Sequence, residues 1–112
     1  MITLYHYPKC SKSRACLQLL QEQNCAFQLI GYFKEGLKKE ALLNLISMLS
    51  WDDLVRANEA IYKELNFQSL NQNQKIDAII NHPELLQRPL LIKGNKAIVA
   101  RPPEKTLEFI HD

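Results

Sequence analysis

The sequence predicts an α/β fold, a mixed four-stranded sheet flanked by helices with a helical insertion between its two halves. Three observations predict it. An apolar run, a helical run and a second apolar run open the chain, which is the order and length of a βαβ unit. The middle third carries leucines and isoleucines at helical spacing and no strand pattern. The last third has two β-rich runs joined by Gly-Asn, then a final helical stretch.

Each element has its own signal. Ile2 to His6 reads as a central, buried strand. Ser11 to about Gln23 reads as a helix whose apolar face carries Ala15, Cys16, Leu17, Leu19 and Leu20, and Asn24 is a plausible stop. Cys25 to Ile30 has strand composition, closed by Gly31, and should run parallel to the first strand. Lys34-Glu35-Gly36 reads as a turn. Lys38 to Leu49 places Leu42, Leu45, Ile46 and Leu49 at helical spacing. Ser50-Trp51-Asp52-Asp53 resembles a capping sequence for a short helix. Asn58 can cap another through Leu65, and Asn71 can cap a helix to about Asn81. Pro83 can start a last turn. Leu90 to Lys93 and Lys96 to Ala100 then read as a hairpin around Gly94-Asn95, and Glu104 to His111 as the final helix. The order βαβ, helices, ββα is the thioredoxin-like plan. Residues 1–112 read as one domain, with the insertion at roughly residues 38–86.

Composition narrows the function classes. The net charge of +2, from 14 basic and 12 acidic residues, is too small to argue for nucleic acid. No apolar run approaches the roughly 18–20 residues of a membrane span, and no signal peptide opens the chain. The three cysteines form no C-x-x-C pair. A reduced, cytoplasmic protein without a metal is the simplest expectation.

The chemistry concentrates in Tyr5-His6-Tyr7-Pro8-Lys9-Cys10-Ser11-Lys12-Ser13-Arg14. Cys10 falls where a strand ends and a helix begins. The free N–H groups of the first helical turn, from Ser11 to Arg14, and the helix dipole place positive potential at its sulfur. Lys9, Lys12 and Arg14 add full charges. These surroundings lower a thiol pKa, and the same N–H groups can hold a tetrahedral oxyanion. A buried structural cysteine is the plainer alternative, but the loop around Cys10 is polar rather than core-like. His6, four residues before Cys10, either helps stabilise a thiolate or is a strand-end histidine without a role.

Chain geometry leaves Cys10 without an internal partner. Cys16 lies six residues along the helix, roughly 9 Å of rise and about 240° of rotation away. Cys25 lies about 18 Å or more away, beyond the helix. A disulfide needs Cα atoms within about 7 Å. A second thiol therefore comes from another molecule. Arg56 and Arg101 are single arginines near loops, each ordinarily solvent-exposed, and guanidinium forks suit an oxyanion if brought to the thiolate. The Arg88-Pro89 bond is expected to be trans on general statistics, and cis would present its backbone to a bound substrate.

Three blocks of this chain resemble the arsenate reductase (ArsC) family of the glutaredoxin-coupled type. They are His6-Tyr7-Pro8-Lys9-Cys10-Ser11-Lys12-Ser13-Arg14, Leu54-Val55-Arg56-Ala57-Asn58, and the run from Gln87-Arg88-Pro89-Leu90 through Lys93-Gly94-Asn95-Lys96-Ala97 to Arg101-Pro102-Pro103-Glu104. The resemblance covers nearly the whole chain. It implies that Cys10 is the nucleophile and that His6 helps depress its pKa. It implies that Arg56, Arg88 and Arg101 bind arsenate and that Pro89 is a cis-proline. It further implies an oxidoreductase with glutathione as co-substrate, glutaredoxin as partner and no bound cofactor. Tyr7 departs from the asparagine that the family usually has there, and its larger ring at the pocket mouth bears on substrate choice. Two other readings share the fold. One is a monothiol glutaredoxin-like oxidoreductase, favoured by the C-x-x-S spacing of Cys10 and Ser13. The other is a non-enzymatic regulator like the Spx family, which contacts RNA polymerase and uses a C-x-x-C switch that Ser13 removes.

Overall fold

The computed structural model describes residues 1–111. Its elements in chain order are β1 (Ile2–Tyr5), α1 (Ser11–Glu22), β2 (Phe27–Ile30), α2 (Tyr32–Glu35), α3 (Lys39–Ile46), α4 (Trp51–Leu54), α5 (Ala60–Glu64), α6 (Gln72–Asn81), β3 (Leu90–Lys93), β4 (Lys96–Val99) and α7 (Lys105–His111), with 3-10 turns at Phe67–Ser69 and Pro83–Leu85. The chain divides into two compact units, residues 1–35 with 88–112, and residues 36–87.

The first unit is the sheet unit. Strand order is β2-β1-β3-β4. β1 pairs parallel with β2, Ile2 opposite Phe27 and Tyr5 opposite Ile30. β1 pairs antiparallel with β3, and β3 with β4, so the sheet is mixed. A parallel pair needs a long crossover, and α1 supplies it. β1 is flanked by strands on both sides, and Leu4 at its centre is fully buried with Leu91, Cys16, Leu20, Ala100 and Phe109 in one core cluster. Thr106 of α7 ties to α1 through a 3.2 Å hydrogen bond with the buried Cys16 sulfur. Gly94 takes φ +62° in the hairpin turn, a left-handed conformation that favours glycine.

Element boundaries shift inward from the sequence expectation. His6 and Ala100 fall outside β1 and β4, and Cys25 and Ala26 outside β2. Asn24, at φ +53°, ends the turn after α1 as a left-handed residue. The expected turn at Lys34-Glu35-Gly36 begins earlier, as α2. There the Glu35 carboxylate accepts the Gly31 N–H at 2.7 Å and closes the single helical turn.

The second unit, residues 36–87, is helical. Ser50 caps α4 by accepting the Asp53 N–H at 3.2 Å. Asn71 and Gln74 form a reciprocal capping box that starts α6. Asn58 does not cap α5. Glu59 occupies that position, without a side-chain cap bond. Leu42, Leu45, Leu54, Ile76, Ile79, Leu85 and Leu86 are fully buried. Tyr62 stacks on Phe67, and the Lys75 ammonium lies 5.3 Å from the Trp51 ring centre. Two extended segments also meet, with a bridge between Val55 and Leu86 where only helices were expected. No helix among the described residues is long and apolar enough to cross a membrane.

Candidate active site

Cys10 sits at the N-cap of α1, with extended backbone at φ −92° and ψ 122°. Tyr7-Pro8-Lys9-Cys10 is a turn, closed by the Cys10 N–H donating to the Tyr7 carbonyl at 3.0 Å, with proline at its second position. The first intrahelical bond runs from the Arg14 N–H to the Cys10 carbonyl. The N–H groups before it have no helical acceptor, and those of Lys12 and Ser13 favour the charged form of the Cys10 sulfur without closing a capping hydrogen bond on it.

The resulting balance favours the thiolate. Partial burial pushes the Cys10 thiol up, and this is the largest single influence. It is outweighed jointly by the Ser13 and Lys12 N–H groups and by the hydrogen bond and charge of Arg88, so the thiol is held below its ordinary value. Arg88 lies two residues before β3, and its bond to Pro89 is cis, the geometry the resemblance implies rather than the trans that residue statistics favour. Arg101, two residues past β4, donates to the Arg88 carbonyl at 3.0 Å. The Arg101-Pro102 bond is also cis, which nothing in the sequence marked.

His6 is buried, at 5 % exposure, and its Nδ1 lies 2.7 Å from the Ser13 hydroxyl oxygen. That oxygen also accepts the Tyr7 N–H at 3.0 Å. Ser13 is fully buried and thus ties the strand end to the helix start. Burial first, and the Arg14 charge second, hold the His6 pKa below its ordinary 6.5. The imidazole is therefore neutral at neutral pH, and its contact is with Ser13. Arg14 itself donates to the Pro8 carbonyl at 2.8 Å. The side chains of Ser11 and Lys12 are exposed.

The lowered His6 pKa predicts a pH dependence of stability. The unfolded chain takes up a proton near pH 6.5, and the folded chain resists it. The contribution is whole above pH 6.5 and is lost as pH falls through the depressed folded value. Urea unfolding at pH 7 and pH 5 should show a larger loss for the wild type than for His6→Gln. Equal losses would remove His6 as the titrating group.

The sequence-marked residues thus fall into two groups. Cys10, His6, Ser11, Lys12, Ser13, Arg14, Arg88, Pro89 and Arg101 all belong to the sheet unit. Arg56 belongs to the helical unit, where its N–H donates to the Leu85 carbonyl at 2.7 Å and its Nε lies 3.9 Å from the Glu59 carboxylate. Two aromatic residues join the site, Tyr7, which the sequence reading set at the pocket mouth, and Phe33, which it did not mark. The Tyr7 ring stacks on Phe33 of α2 at 4.0 Å, and the Arg88 guanidinium lies 5.0 Å from the Tyr7 ring centre. Tyr7 and Phe33 wall an open, largely apolar cleft of ≈ 580 Å³, shared with His6, Pro8 and Leu29. No sequence signal links positions 7 and 33. No group of three or more His, Cys, Asp or Glu side chains suited to a metal gathers among the described residues.

A thioredoxin-like sheet with one activated cysteine at the start of its first helix defines a class of thiol proteins. The ArsC family model matches residues 5–109, and the chain belongs to the ArsC family. An uncharacterised protein of Escherichia coli, YfgD, is 36% identical over 97% of this chain and 96% of its own. A protein of Haemophilus influenzae named arsenate reductase is 34% identical over 97% and 98%. Among solved structures, the arsenate reductase from Vibrio cholerae superposes with a TM-score of 0.86 at 37% identity, covering 96% of this chain and 95% of that one. A structure from Yersinia pestis, titled a putative arsenate reductase, gives 0.87 at 35% identity, covering 96% and 99%.

Proposed function

We propose that this chain is an arsenate reductase that draws its electrons from glutathione and glutaredoxin. The observation that carries the reading is the Cys10 thiol at the start of α1, held below its ordinary value by two helix-start N–H groups and the Arg88 guanidinium. The Cys10 thiolate attacks arsenic, an S–As bond forms, and one arsenate oxygen leaves as water after protonation. Arg88 and the helix start offset the charge on the remaining oxygens. The glutathione thiol then displaces a second oxygen as water. A glutaredoxin thiolate attacks the glutathione sulfur and forms a mixed disulfide. The sulfur–arsenic electron pair stays on arsenic, which passes from As(V) to As(III). Water releases arsenite and returns the Cys10 thiol.

The external thiols fit the local structure. Cys16 is fully buried against Thr106, and position 13 holds a buried serine in place of a second thiol. In this reading the neutral His6 acts through Ser13, by fixing the loop that presents Cys10. Arg101 acts on Arg88 through its carbonyl. A role for Arg56 toward the oxyanion rests on the sequence resemblance.

The test is arsenite formation with glutathione, glutaredoxin and an NADPH-driven regenerating system. Turnover that needs both thiol components and saturates with arsenate is expected. Turnover no faster than that of Cys10→Ser would overturn the reading. Rapid deglutathionylation of a mixed disulfide, unaffected by arsenate, would replace it with monothiol exchange.

A further inference from the structure

Arg88 is the side chain that donates to the Cys10 sulfur, yet arginine is long and loses much rotamer freedom when its head is fixed. Arg101 fixes only the Arg88 backbone, through the carbonyl. The head lies over the Tyr7 ring, 5.0 Å from its centre. Tyr7 is itself fixed at three points. Its N–H donates to Ser13, its carbonyl accepts from Cys10, and its ring stacks on Phe33 at 4.0 Å with 19° between planes. The base of the ring therefore shares the rigid turn that carries the sulfur, and α2 backs the ring.

We propose that Tyr7, backed by Phe33, is the positioning residue that holds the Arg88 guanidinium on the Cys10 sulfur. A cation over an aromatic face is attracted by the ring quadrupole, and the aromatic ring rather than the phenol hydroxyl does this work. Arg14 is engaged on the Pro8 carbonyl, His6 is engaged on Ser13, and the Lys9 and Lys12 side chains are exposed. The proposal rests on the reading of Cys10 as an activated thiol and deepens it.

The experiment follows iodoacetamide alkylation of Cys10 against pH, resolved to the Cys10 peptide by mass spectrometry. On the rising limb of the profile, Tyr7→Leu should react about threefold more slowly than wild type, with the same limiting rate at high pH. Tyr7→Phe should keep the wild-type profile, and Arg88→Leu should lose more than Tyr7→Leu. The double variant Tyr7→Leu/Arg88→Leu should be no slower than Arg88→Leu alone, because both act through one contact. A wild-type rate for Tyr7→Leu, or a double variant slowed by the product of the two single effects, would overturn the proposal. Should Tyr7→Leu lose its circular dichroism, Phe33→Leu carries the test from an exposed position, with slower alkylation expected and an unchanged rate contradicting it. A wild-type midpoint at the free-thiol value would instead overturn the reading of Cys10 itself.

Discussion

Cys10→Ser should bring arsenite formation down to the rate seen without protein, with the fold intact. The substitution replaces one small side chain by another at an N-cap, where serine is a favoured residue. What it removes is the thiol proposed as nucleophile. The Lys12 and Ser13 N–H groups and Arg88 hold the Cys10 thiol down from a starting value that a modest bias brings toward neutrality. An alcohol starts far higher, and no general base stands ready to deprotonate it, since the neutral His6 imidazole is committed to Ser13 at 2.7 Å. Serine therefore offers neither the charge nor a sulfur for later thiol exchange. Arsenite measured over time, with circular dichroism as the folding control, checks this. Residual turnover well above background would mean that another thiol carries the chemistry.

Leu4→Ala should lower the unfolding free energy by about 2–5 kcal/mol and the melting temperature by about 10–20 °C. Leu4 is fully buried at the centre of β1, which has β2 on one side and β3 on the other. It faces Leu29 across the parallel ladder and Leu91 across the antiparallel one. A strand clamped between two neighbours cannot collapse into the space a truncated side chain leaves, so the cavity persists. That loss is a large share of the roughly 5–15 kcal/mol a domain has in all. Thermal melts followed by circular dichroism give the number. A drop under about 4 °C would mean that the sheet around Leu4 relaxes freely.

The parts of this molecule that local pattern controls were legible in the sequence. The βαβ opening, the Gly94-Asn95 hairpin and the Asn71 cap each depend on residues within a few positions of one another. Cys10 at the start of α1 was legible for the same reason, since strand end, turn proline and helix start are contiguous. What was not legible depends on distance in sequence. α2 is a single turn of aromatic and charged residues, too short for any helical period to register. The Tyr7–Phe33 stack requires β2 and α2 to bring back a residue 26 positions away, so the sequence marked the ring of Tyr7 at the pocket mouth but not its contacts with Phe33 and Arg88. His6 was legible as a residue of the Cys10 loop, but its partner was not. Burial and the Ser13 hydroxyl, seven positions on, make it a neutral anchor of the loop.

The central claim is that Cys10 is a thiolate nucleophile in an oxyanion site. Alkylation of Cys10 by iodoacetamide as a function of pH, with and without arsenate, tests it most directly. The structure predicts a midpoint below the roughly 8.5 of a free thiol, and slower alkylation when arsenate occupies the Arg88 and helix-start groups. A midpoint at the free-thiol value, with rates indifferent to arsenate, would contradict it.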